Sequence, residues 1–230
     1  MLGIIGAMQV EVNALKEIMA EQETHVISGM EYVKGKIDGR EVVAVVCGEG
    51  KVASAICAQT LILEYHVDGV INTGVAGTLC KELGISDVAI AENVVQHDMD
   101  VTALGYPVGQ IPSLDVLKIP CDPKMISALE KAVIAQGSNY RVGTIASGDM
   151  FIHSAERKAF IVGTFGAIAG EMEGAAIGQV CYVNQVPFVV LRTMSDDASG
   201  AAPESFETFA NCAAECACAI VRRFVALMDA

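Results

Sequence analysis

VPFVVLRTMSD, residues 186–196, decides the fold. It begins as a short apolar run rich in β-branched residues and ends in Arg192, Ser195 and Asp196. A run apolar at successive positions, too short for a helix, reads as a strand buried on both faces of a sheet. Similar runs occur at 2–5, 41–47, 69–72, 88–95, 142–146 and 167–170. Between them, helical spacing covers 10–19, 51–64, 123–136 (with Gly137 as a stop), 155–162, 174–183 and 204–228. Strands alternating with helices predict a three-layer α/β/α fold around a central mixed, mostly parallel sheet. The 230 residues fit a single domain, 1–230. The stretch 98–120, with four prolines or glycines among its first fifteen residues, reads as a long loop of functional or interface character.

Composition narrows the partners. Hydrophobic residues make up 53% of the chain, yet no run reaches the ~18–20 apolar residues of a membrane span. With no basic leader before the first strand, a soluble cytoplasmic protein is expected. A net charge of −13 argues against nucleic acid and anionic membranes, which require a basic footprint. The eight cysteines lie mostly in predicted helices and strands, which favours free buried thiols. Cys212, Cys216 and Cys218 lack a C-x-x-C pair, and no metal site is expected.

Several motifs sit where strands end. GEGKVA (48–53) fits the relaxed G-x-G-x-x-G/A dinucleotide pattern, but Asp68 precedes its strand instead of following it. Val45 and Val52 exclude a P-loop, so the stretch reads as a tight strand-to-helix turn. NTGVAGT (72–78) reads either as another tight turn or as backbone N–H groups able to hold an anion or sugar hydroxyl. HDMD (97–100) reads as a solvated polar loop, because sequential residues seldom converge on a metal. In GEMEGAA (170–176), Glu171 and Glu173 share a face if extended, or serve a helix N-terminus. Ser195 and Asp196 are either caps or site residues at a strand's carboxyl end. Glu11, Glu173 and Asp196 each follow a strand, and carboxylates in different environments suggest acid/base chemistry. His25, His66 and His153 offer no nucleophile a partner.

Taken in order, GIIGAMQVEV (3–12), GEGKV (48–52), INTGVAG (71–77), HDMDVTALGY (97–106), GQIP (109–112), SGDMFI (147–152), GEMEGAAI (170–177), the opening stretch and SFETF (205–209) resemble the 5′-methylthioadenosine/S-adenosylhomocysteine nucleosidases of the nucleoside phosphorylase superfamily. The resemblance spans nearly the whole chain. It implies a nucleoside phosphorylase-like fold, a homodimer, and cleavage of an adenine nucleoside's N-glycosidic bond by water without a cofactor. It implies that Asp196 protonates adenine N7 and that Glu11 activates water. Glu173 would bind the ribose hydroxyls and Met172 would pack beneath the sugar. Phe151 would stack on the purine, the Ile152 backbone would bond its edge, and Ser195 would orient Asp196. Met8, Ala76, Gly77, Tyr106, Phe206, Glu49 and Arg192 would complete the substrate site. Leu104 and Pro112 would reach into the partner subunit's 5′ pocket.

Three positions depart from the family pattern. Val75 replaces a serine that helps hold the water, Glu49 an apolar residue of the 5′ pocket, and Leu104 a phenylalanine there. A more polar, roomier 5′ pocket is the expected consequence. With only six arginines, of which Arg192 alone lies in a site motif, hydrolysis is favoured over phosphorolysis. Alternatives are a phosphorylase, a nucleosidase for 5′-deoxyadenosine or aminodeoxyfutalosine, and a non-catalytic nucleoside-binding protein.

Overall fold

The computed structural model describes residues 1–196 and 203–228, and for 203–212 the backbone alone. In chain order the elements are β1 (Leu2–Gly6), α1 (Gln9–Ile18), β2 (Ala20–Ile27), β3 (Met30–Ile37), β4 (Arg40–Val46), α2 (Lys51–Tyr65), β5 (Gly69–Thr78), β6 (Val88–Gln96), β7 (Ile119–Pro120), α3 (Pro123–Gln136), β8 (Tyr140–Ser147), α4 (Ala155–Phe165), β9 (Ala167–Glu171), α5 (Gly174–Asn184), β10 (Phe188–Met194) and α6 (Pro203–Leu227). Every residue of β1, β9 and β10 is buried, which is what uninterrupted apolar strands require. Helices α1, α3 and α6 pack together on one face, and α2 and α5 on the other. That is the three-layer arrangement. Among the described residues no helix is long and apolar enough to cross a membrane.

Local chemistry sets the helix ends. In α3, the Asp122 carboxylate accepts the Lys124 and Met125 N–H groups, Pro123 stands in the first turn, and Gly137 ends the helix at φ +79°. Those roles suit an acceptor, a fixed φ and a residue without Cβ.

The sheet order is β10-β6-β8-β9-β5-β1-β4-β3-β2, with β7 on β6 and a second pairing of β10 with β5. Strands β5, β10, β6, β8 and β9 therefore close into a ring. Parallel ladders join β5 to β1 and to β10, while the tip of β5 turns to pair antiparallel with β9 at Gly77–Gly170. This bend gathers the carboxyl ends of β1, β9 and β10 around the outer half of β5.

Three sequence expectations change. NTGVAGT is not a turn: β5 runs through it to Thr78. Its glycines serve close approach, since a Cβ on Gly74 would lie 2.5 Å from Glu11 Oε1 and one on Gly77 3.3 Å from Asp196 Oδ2. Residues 20–37 form the hairpin β2–β3, which the apolar pattern did not reveal because β2 is exposed along nearly its whole length. HDMD is not fully solvated: His97 is buried, and its Nδ1 lies 2.8 Å from Arg157 Nη2. The seven described cysteines are free thiols. Among the described residues no group of three His, Cys, Asp or Glu is placed to hold a metal.

Candidate active site

Glu11 stands in the first turn of α1, which begins three residues after β1 ends. Its Oε2 accepts the N–H groups of Ala7 (2.7 Å) and Met8 (3.0 Å), and its Oε1 accepts that of Val75 (3.0 Å). Four acceptor positions less three leave one, on Oε1. Burial pushes the Glu11 pKa upward; Arg192 and the three N–H groups oppose it without cancelling it. The result is a fixed carboxyl with a single open acceptor facing a cleft.

The EME stretch divides its two glutamates. Glu171 ends β9 and is fully engaged. It takes the Ser147 hydroxyl on Oε1 and the N–H groups of Glu173 (3.0 Å) and Gly174 (2.7 Å) on Oε2, where Arg192 also bonds it. The glutamate thus caps α5 from the preceding strand. Glu173 keeps more freedom: its Oε1 accepts the Gly50 N–H (2.8 Å), and its Oε2 lies 3.6 Å from Arg192 Nη2. Burial first, then the neighbouring Glu171 charge, push its pKa up to about 7 against the pull of Arg192.

Arg192, expected in the substrate site, does not line the cleft. It is 1% exposed beneath the acids, and its remaining bonds go to Asn72 Oδ1 (2.6 Å) and its neighbour's carbonyl. A buried guanidinium needs anionic partners, and here it is the counter-charge that lets two glutamates stand side by side.

Asp196 follows β10. Its Oδ1 accepts the Thr78 N–H (2.7 Å), and Lys158 Nζ lies 3.6 Å from Oδ2. Ser195, expected to orient Asp196, donates both its N–H (3.1 Å) and its hydroxyl (3.3 Å) to the Ala76 carbonyl, so it pins the backbone that carries Asp196.

One open cleft is lined by Glu11, Glu173 and Asp196, together with Met8, Glu49, Val75, Ala76, Gly77, Phe151, Ile152, Met172 and Ser195. Phe151 is 58% exposed on its wall and Glu49 is exposed at the mouth. Glu49 has no salt bridge to Lys51, whose ammonium pairs with Asp98 at 2.8 Å. Leu104, Tyr106 and Pro112 do not line the cleft of this chain; Leu104 is 74% exposed in a short 3₁₀ turn. The side chain of Phe206 lies outside the described residues. Sequence reasoning missed Lys158 as a lining residue. Lys158 belongs to no motif and is brought in only by the packing of α4 beside β8 and β9.

Buried acids around an apolar cleft with an aromatic wall suit a neutral ligand carrying hydroxyls and a ring, and suit proton transfer to it. The chain belongs to the phosphorylase superfamily, whose family profile matches residues 1–226. Within that superfamily it is similar to the 5′-methylthioadenosine/S-adenosylhomocysteine nucleosidases. It is 42% identical to that of Shewanella pealeana over 90% of this chain and 91% of the relative. The crystal structure of the Neisseria meningitidis nucleosidase in complex with methylthio-immucillin-A matches it with a TM-score of 0.94 and 38% identity, over 97% of both chains. A futalosine hydrolase of Helicobacter pylori matches with a TM-score of 0.93 and 35% identity, over 98% of this chain and 97% of that one.

Proposed function

We propose that this chain hydrolyses the N-glycosidic bond of 5′-methylthioadenosine and S-adenosylhomocysteine, releasing adenine and the 5′-thio-substituted ribose. The observation that carries the reading is the meeting of Glu11, Glu173 and Asp196 at one cleft, each held differently. Asp196 protonates adenine N7, since breaking the C–N bond otherwise leaves an anionic base; such acid catalysis contributes typically 10²–10⁴-fold. The sugar becomes oxocarbenium-like. Glu173 grips its 2′- and 3′-hydroxyls and supports the positive charge. Glu11, through its one open acceptor, takes a proton from the attacking water. Val75 supplies an N–H to Glu11 but no hydroxyl to that water. Phe151 and Ile152 face the purine, and Met172 and Met8 the ribose.

Water is favoured over phosphate on charge. Five acids (Glu11, Glu49, Glu171, Glu173, Asp196) line the cleft against one lysine, Lys158, which sits beside Asp196, where the base binds. Phosphate would meet like charge on the water's side.

The reading extends to a cytoplasmic enzyme of one domain, 1–230, acting as a homodimer. Supporting the dimer, Val52, Ile56 and Leu63 of α2 and Val183 of α5 are exposed by 72%, 43%, 60% and 57% on helices that pack together. Leu104 and Pro112 then complete the partner subunit's 5′ pocket.

A second reading is suggested by the similarity to the futalosine hydrolase: a nucleosidase for another 5′-substituted adenosine. Glu49 at the mouth disfavours an anionic 5′ group. Adenine release from a panel of 5′-substituted adenosines separates the two. The first reading expects methylthioadenosine and S-adenosylhomocysteine to lead in kcat/KM; a net-anionic 5′ substituent, with a carboxylate and no ammonium beside it, leading would overturn it.

A further inference from the structure

GEGKVA and HDMD, far apart in sequence, meet beside the cleft. Lys51 opens α2, and its backbone N–H donates to Asp149 Oδ1 (2.8 Å). Its ammonium donates to Asp98 Oδ1 (2.8 Å) and Gln96 Oε1 (3.2 Å). The Asp149 N–H donates to Asp98 Oδ2 (2.9 Å), which closes a ring of three residues. Asp98 stays ionised: burial raises its pKa, but Lys51 and the Asp149 N–H together outweigh that and hold it below the usual range. Contact is close enough that a Cβ on Gly50, at φ +95°, would lie 2.9 Å from Asp149 Oδ1.

None of the three residues lines the cleft, yet each adjoins something that does. Gly50, beside Lys51, gives its N–H to Glu173. Asp149 leads into Met150, Phe151 and Ile152. Asp98 opens the segment that carries Leu104 and Tyr106. The Lys51 and Asp98 side chains keep only 20% and 19% of their surface exposed. A ring whose members are 47, 51 and 98 residues apart is better explained by what it fixes in space.

We infer that Lys51, Asp98 and Asp149 form a positioning lock that holds the Gly50 turn and the 150–152 loop in fixed relation, so that Glu173 and Phe151 address one substrate together. This rests on the nucleosidase reading, with Glu173 on the ribose and Phe151 on the purine. All three are positioning residues, acting through Glu173 and the purine loop.

The test compares Lys51→Met, Lys51→Arg and Asp98→Asn with wild type in adenine release from methylthioadenosine, as kcat and KM across pH, with circular dichroism checking the fold. Small misplacements near reacting groups can cost on the order of 10²-fold. Lys51→Met and Asp98→Asn should lose about tenfold to 10²-fold in kcat/KM, and Lys51→Arg should recover most of that. The Glu173 limb should also move to higher pH, because a displaced Gly50 N–H no longer favours the carboxylate. Glu171 on β9, Arg192 on β10 and Glu11 on α1, the other charges felt by Glu173, remain in place. Folded variants with wild-type kcat/KM would overturn the lock. So would an unmoved limb in the residual activity, or an arginine variant as impaired as the methionine one. A wild type that releases no adenine would instead overturn the underlying reading, so the two failures are distinguishable.

Discussion

At the scale of single residues the site is a division of labour among acids set by their surroundings. Asp196→Asn and Glu11→Gln each remove a group proposed to transfer a proton while keeping shape, so kcat should fall on the order of 10²–10⁴-fold in an adenine-release assay. Near-normal turnover in either variant would refute its assigned role. Glu173 adds a pH dependence with a definite sign. Its folded pKa of about 7 lies above the ordinary 4.5. Between those values the folded chain holds a proton that the unfolded chain has released, so its contribution to stability falls as pH rises through that window. Melting of the ligand-free protein from about pH 5 to about pH 7 should show a downward component in wild type that Glu173→Gln lacks. If the two curves run parallel, the buried-glutamate account fails. Glu49, exposed at the mouth and unpaired with Lys51, should tune the 5′ end. Glu49→Ile is expected to shift the kcat/KM ratio toward methylthioadenosine and away from the zwitterionic S-adenosylhomocysteine; an unchanged ratio would remove Glu49 from specificity. Of these residues, the three acids were legible because each follows a strand. Arg192 was misplaced because a sequence cannot say whether a charge at a strand's end faces the ligand or lies under it.

At the scale of elements, β5 organises the cleft. It carries the Val75 N–H to Glu11 and the Thr78 N–H to Asp196, and its glycines leave room for both carboxyls. Gly74→Ala places a methyl 2.5 Å from Glu11 Oε1. It should cost about 1–3 kcal/mol in chemical denaturation and abolish most turnover, as overpacking does; a stable, active alanine variant would contradict the close approach. The alternation of buried strands and helices was readable outside residues 20–37, because strands buried on both faces and amphipathic helices write their pattern into the chain. The α3 boundaries follow directly from Pro123 and Gly137. The hairpin β2–β3 was hidden because an exposed strand has no apolar side to advertise it. The β5 extension was hidden because Gly74 and Gly77 look like turn residues when their true reason, a carboxylate against the backbone, comes from Glu11 and Asp196, far away in sequence.

At the scale of the whole molecule, the ring β5–β10–β6–β8–β9 draws distant strands to one cleft, while the exposed apolar side chains of α2 and α5 form the proposed dimer face. Val52→Glu with Leu63→Glu should convert a dimer to monomers in sedimentation velocity and weaken activity, since Leu104 and Pro112 are assigned to the neighbour's pocket. A doubly substituted protein that remains dimeric would place the interface elsewhere. The central claim is hydrolysis with water as nucleophile. It is tested by following adenine release from 5′-methylthioadenosine with and without added phosphate, with the sugar product identified by ³¹P and ¹H nuclear magnetic resonance. The same initial rate in both conditions, with free methylthioribose as the product, is the result predicted here. A rate that depends on phosphate, with a sugar 1-phosphate as product, would contradict it.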